Sequence, residues 1–126
     1  MKYIICTLLA LPTLVFAAFE DWDKTEQRLW KSYVALNVVD TFQTFNLIDK
    51  QKDPSYNIAI ESNPILGNYP TKEAVVVLKL GINYMAFKVL DDNPRIRTAA
   101  LSFMNGIYIK TVQNNHELGL RINFRI

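Results

Sequence analysis

The chain has 126 residues, 50% of them hydrophobic and 21% charged, with 14 Lys+Arg against 12 Asp+Glu. That is one domain at most, too apolar for a disordered chain, too poor in Gly and Pro for a collagen-like one and too weakly basic for an ordinary nucleic-acid binder. A single Cys and a single His exclude an internal disulfide and a structural zinc site, and no cofactor or metal is expected.

The first elements are those of a secretory signal peptide. Lys2 supplies a positive start, residues 3–16 form an apolar run interrupted by Pro12, and Val15-Phe16-Ala17 places small residues ahead of a cleavage site before Ala18. Cys6 lies inside the apolar run, so no lipoprotein site is expected. The apolar run is shorter than the roughly 20 residues a spanning helix needs, which favours cleavage over a retained anchor. The expected division is a signal peptide over 1–17 and a helical envelope domain over 18–126.

Residues 22–48 carry apolar side chains at helical spacing and predict one long helix. Its first half is rich in charge, whereas residues 34–48 contain only Asp40, so the helix is expected to run from a wet end to a dry end. Asp53-Pro54 signals a turn, and Tyr56-Asn57-Ile58-Ala59-Ile60 alternates like a short strand. In Glu61-Ser62-Asn63-Pro64-Ile65-Leu66-Gly67, Asn63 can cap a helical turn that Pro64 opens and Gly67 closes.

A second helix is predicted from a Thr71 cap to Leu90, with the β-branched run Val75-Val76-Val77 against it. Asn93-Pro94 starts a third, over 95–114, expected to bury Ala99, Leu101, Phe103, Met104, Ile107, Tyr108 and Val112. In the last nine residues Leu118, Leu120, Ile122, Phe124 and Ile126 alternate with Gly119, Arg121, Asn123 and Arg125, which is a strand pattern. The predicted fold is mainly α, a bundle of about three helices after a signal peptide, with a short C-terminal β-strand.

Each helix is apolar enough to raise a membrane-inserted reading, with a transmembrane helix among the expectations, yet each carries polar residues that lipid disfavours: Asp40, Lys79 with Asn83, and Asn105. A mean hydropathy of +0.05 is low for a chain mostly inside a bilayer. Basic residues divide evenly between the two sides of a threefold crossing, so charge bias supports no topology. Membrane association is preferred to a soluble periplasmic bundle.

The polar residues most open to chemistry start with Asn37, Asp40, Thr41 and Thr44, which spacings of three and four put on one helical face, with Gln43 beside them. A carboxylate there needs a partner, and Lys79 or His116 could supply it. Glu61 and Asn63 could bring a second carboxylate and an amide to the same pocket. The candidate cluster is therefore Asn37, Asp40, Gln43, Thr44, Glu61, Asn63, Lys79 and His116. Its bland reading is an interhelical network that fixes register. Its sharper reading is a proton-handling or ligand pocket. No phosphate loop, nucleophile elbow or nucleotide-stacking strip is present.

With its Asp40-x-x-Gln43-Thr44, Tyr56, Glu61-x-Asn63-Pro64-Ile65-Leu66-Gly67-x-x-Pro70 and Asn115-His116 ahead of Gly119, the chain resembles a small family of uncharacterised envelope proteins of proteobacteria and their phages. It departs from that pattern at Thr41, where Trp is usual, and in the order Asn115-His116. The resemblance implies an envelope location and importance for Asp40, Gln43, Glu61, Asn63 and His116, without naming a reaction. The leading expectation is a non-enzymatic protein of the inner membrane or periplasm that engages the bilayer or an envelope protein. The alternatives are a small hydrolase using Asp40 or Glu61 with His116, and a phage-derived exclusion or lysis accessory.

Overall fold

The computed structural model describes residues 19–51 and 70–120, which form three helices: α1 (Lys24–Lys50), α2 (Lys72–Asp92) and α3 (Pro94–Glu117). The signal-peptide region, the strand at 56–60 and the corner around Glu61 and Asn63 lie outside the described residues.

The first two helices start at side-chain caps, and the third starts at a proline without one. The Asp23 carboxylate accepts from the Glu26 amide at 2.8 Å while the Glu26 side chain accepts from the Asp23 amide at 3.2 Å, a reciprocal capping box. Thr71 accepts from the Ala74 amide at 3.1 Å, and the valine run continues the helix without a break because α2 packs against α1. Asn93 alone separates α2 from α3. Pro94 has no amide hydrogen and disfavours helical geometry in the residue before it, so the chain reverses there and α3 begins at once.

The contacts fix the topology. Trp22 with Phe87, Tyr33 with Asn83 and Asp49 with Lys72 make α1 and α2 antiparallel. Glu26 with Arg97, Leu29 with Asn105 and Lys50 with Gly119 make α1 and α3 parallel, and these two share the larger interface.

The wet-to-dry reading of α1 is inverted by the packing. The hydrophobic core gathers at the charge-rich end, where Phe19, Trp22, Trp30, Tyr33, Phe87, Leu90 and Leu101 are buried together. Trp22 stacks on Phe87 with ring centroids 5.0 Å apart, and Trp30 meets both edge-on. The charges that made this end look wet point outward, apart from Glu26, while Val34 and Val38 of the apolar half are exposed. A 27-residue helix has two faces along its whole length, and composition averaged along the axis does not distinguish them.

Three further expectations are corrected. None of the described helices is long and apolar enough to cross a membrane, so the transmembrane helix is not found. In α3, Leu101 is fully buried and Met104, Tyr108 and Val112 partly so, but Ala99, Phe103 and Ile107 are exposed, because α2 and α1 together cover only one side of it. No strand occurs among the described residues. Residues 121–126 of the expected strand lie outside them, and 118–120 close α3 instead. The Gly119 amide donates to the His116 carbonyl at 3.0 Å and the Leu120 amide to the Asn115 carbonyl at 2.9 Å, with Gly119 at φ +80°. That is a Schellman stop with the glycine where a positive φ is required and with Leu120 buried after it.

Candidate functional site

The dry half of α1 holds a buried polar cluster that all three helices build. Asn37, Asp40, Gln43 and Thr44 are buried on the face of α1 that meets α2 and α3. One Asp40 carboxylate oxygen pairs with the Lys79 ammonium of α2, and the other accepts from Asn115 Nδ2 of α3 at 2.9 Å. The same amide reaches Gln43 Oε1 at 3.2 Å, and Gln43 Nε2 donates to the Val112 carbonyl at 3.1 Å. Lys79 also stands 5.3 Å from the centre of the Tyr108 ring, a placement that supports the cation on its second side.

Next to it, Tyr33 donates to Asn83 Oδ1 at 2.8 Å and meets Tyr108 edge-on. Burial pushes the Tyr33 hydroxyl up to about 12, with the neighbouring Tyr108 adding to the shift. Burial raises Tyr108 as well, and the Asp40 carboxylate adds to it. Both phenols stay protonated through the physiological range and serve as neutral hydrogen-bonding walls.

The expected cluster is thus partly assembled. Asp40, Gln43 and Lys79 come together as anticipated. Thr44 and Thr41 do not reach across: their hydroxyls donate to the Asp40 and Asn37 carbonyls one turn back, at 2.9 and 2.7 Å. Asn37 donates to the Tyr33 carbonyl at 3.3 Å, and its Oδ1 is buried without a partner. His116 is not a partner of Asp40. It is exposed in the last turn of α3, beside a shallow open groove that Val39, Gln43 and Val112 also line. Its neighbour Asn115 takes the place, because residues 97, 101, 105, 108, 112 and 115 are the inward face of α3 and 116 stands one residue, about 100° of rotation, past 115. Glu61 and Asn63 lie outside the described residues.

Asn115, Tyr33, Tyr108 and Asn83 were not legible as members. The signal available for them was the same three-and-four spacing that singled out Asp40, applied to α3 and α2.

A second buried polar knot, which no spacing in the sequence indicates, joins the three helices at the other end of the bundle. Arg97 donates to Glu26 Oε2 at 3.0 Å, to the Leu90 carbonyl at 2.9 Å and to the Asp91 carbonyl at 3.0 Å, and its guanidinium stacks 4.5 Å from the Trp22 ring. Trp22 Nε1 in turn donates to Asp91 Oδ1 at 2.9 Å. One side chain therefore caps the end of α2, neutralises the capping-box glutamate of α1 and fixes the corner into α3.

The chemistry open to the Asp40 cluster is narrow. Both carboxylate oxygens are engaged, one by a cation and one by an amide, and among the described residues no group of three or more His, Cys, Asp or Glu side chains converges. The arrangement holds three helices in one register. The chain matches no protein-family model, no curated protein and no solved structure.

Proposed function

We propose that this chain is a non-enzymatic protein of the cell envelope whose helical bundle works by binding, engaging a partner or the bilayer through the outer face of α2 and α3. The observation that carries this reading is the exposure of large apolar side chains there: Phe103 is 71% exposed and Met85 67%, with Val77, Val89, Ile96 and Ile107 also open. Residues 74–87 of α2 contain one charged side chain, Lys79, which turns inward to Asp40, and residues 98–109 of α3 contain none. A free surface of that kind marks an interaction site. The ionisable groups of the polar cluster are meanwhile engaged with one another, which favours a brace over a reaction centre. The signal-peptide pattern and the resemblance to envelope proteins favour the location.

The test is fractionation of the chain tagged at its C-terminus, with carbonate extraction and N-terminal sequencing, alongside a Met85→Ser/Phe103→Ser variant. The wild type is expected in the membrane fraction or in a larger assembly, and the double variant is expected free, with its helical circular dichroism unchanged. A double variant that fractionates as the wild type overturns the reading.

A further inference from the structure

We infer that the face of α2 and α3 is a self-complementary surface on which a second copy of this chain packs antiparallel, across a two-fold axis level with Gly81 and Gly106. The inference rests on the binding reading above and names its partner.

Most of the exposed charges on this hairpin stand near its two ends, and Lys110, also exposed, lies between Gly106 and Glu117. Lys88 and Arg95 stand at the corner, with Asp92 four residues after Lys88, and Glu73 and Glu117 stand at the open end. All are exposed. Among the described residues Arg95, Glu73 and Glu117 enter no ion pair, and Lys88 has only Asp92 at 4.0 Å. A copy turned end for end lays Glu73 and Glu117 on the corner that holds Lys88 and Arg95. Arg95 then faces Glu117 of the partner subunit, Lys88 faces Glu73 of the partner subunit, and each pair occurs twice.

These two pairings could have required two different axes, and they require one. The midpoint between Glu73 and Lys88 falls at Leu80 and Gly81, and the midpoint between Arg95 and Glu117 falls at Gly106. Because the helices turn back at Asn93, Gly81 and Gly106 lie twelve and thirteen residues from the corner, about 18–20 Å along α2 and α3. They are therefore level with each other. A pairing by face, with α2 on its own copy and α3 on its own copy, places the axis there.

The glycines support the same axis from a separate direction. Glycine inside a helix is less stable than alanine by about 1 kcal/mol. Both residues are exposed, and an added Cβ at either would meet nothing within 4 Å, so nothing in the protomer requires them. At a two-fold crossing the missing side chains let the backbones approach. Met85, Phe103 and Ile107 surround that point and would form the apolar centre, with the ion pairs as its polar rim. An interface related by a two-fold uses the same patch on both subunits, as here.

The experiment is sedimentation of the purified full chain over a concentration series, with flotation on vesicles of phosphatidylcholine and phosphatidylglycerol in parallel. A dimer is expected, lost in Met85→Ser/Phe103→Ser. Arg95→Glu and Glu117→Arg should each weaken it about tenfold, since two symmetric rim pairs turn repulsive, and the two together should restore it. In a Cys6→Ser background, Ile107→Cys should form an intermolecular disulfide with itself on oxidation, while Ser32→Cys on the exposed side of α1 should not. A monomer at every concentration that floats with vesicles through the same face overturns the second copy and leaves the binding reading standing. A dimer untouched by Met85→Ser/Phe103→Ser, or one that the combined charge exchange fails to restore, overturns this geometry. A monomer that binds no vesicle, with the double variant fractionating as wild type in cells, overturns both.

Discussion

Removing one member of the Asp40–Lys79 pair while keeping its shape tests whether the polar cluster is a brace. The two side chains are 11% and 16% exposed, so Asp40→Asn strands an ammonium that water reaches only in part. Breaking a buried pair costs about 3–5 kcal/mol, and the Tyr108 ring and partial exposure of Lys79 reduce this to about 2–4 kcal/mol. Against a total stability of about 5–15 kcal/mol, that lowers the melting temperature by roughly 10–25 °C for a domain of this size. Lys79→Met leaves the carboxylate with Asn115 as its remaining partner and should cost as much. Replacing both, as Asp40→Leu/Lys79→Met, removes the desolvated charges together and should cost less than either single change, giving a coupling of about 2–3 kcal/mol. Urea unfolding followed by circular dichroism, with unchanged slopes, measures all four corners of the cycle. If the single losses simply add, or if Asp40→Asn unfolds within about 0.5 kcal/mol of the wild type, the pair is not a brace and the groups are free for chemistry.

Arg97→Met should cost about 3–5 kcal/mol, since it leaves Glu26 buried and unpaired and strips the last carbonyls of α2. Hydrogen exchange should show the corner at Asn93 opening first, and protection there equal to that of the wild type would refute the role. Gly119→Ala should cost about 1–2 kcal/mol by conformation alone, because Lys50 Nζ stands 3.9 Å from the added Cβ and leaves it room. A neutral or stabilising effect in thermal unfolding would count against the helix stop. Tyr33 is held up near 12 in the folded chain against 10 when unfolded, so the folded state keeps a proton that the unfolded state releases. Stability should be complete below pH 10 and fall as pH rises towards 12. In Tyr33→Phe that alkaline decline should be shallower, on a baseline lower by about 1 kcal/mol from the lost Asn83 bond. An identical decline in both proteins, read by urea midpoints across the range, would contradict it.

Where local chemistry decides, the sequence was sufficient. Thr71 and the Asn93-Pro94 step mark where the second helix begins and where the chain turns into the third, because a cap and a proline act within four residues, whereas the Asp23–Glu26 box starts the first helix at Lys24, two residues after the expected Trp22. Apolar spacing likewise indicates three helices, and the need of Asp40 for a partner pointed to Lys79 or His116, of which Lys79 is the one that pairs with it. Side-chain neighbours across helices were a different matter. Whether Asn115 or His116 reaches Asp40 depends on which face α3 turns inward, and one residue of rotation about a helix axis moves a side chain by 100°. The same rotation exposes Phe103 and Ile107 while burying Leu101, and it brings Arg97 of the third helix onto Glu26 of the first, 71 residues away in the chain. Short-range preferences determined the elements. Only the packing of those elements decided which polar groups are braced inside and which apolar ones are left facing out, because burial is settled by neighbours distant in sequence.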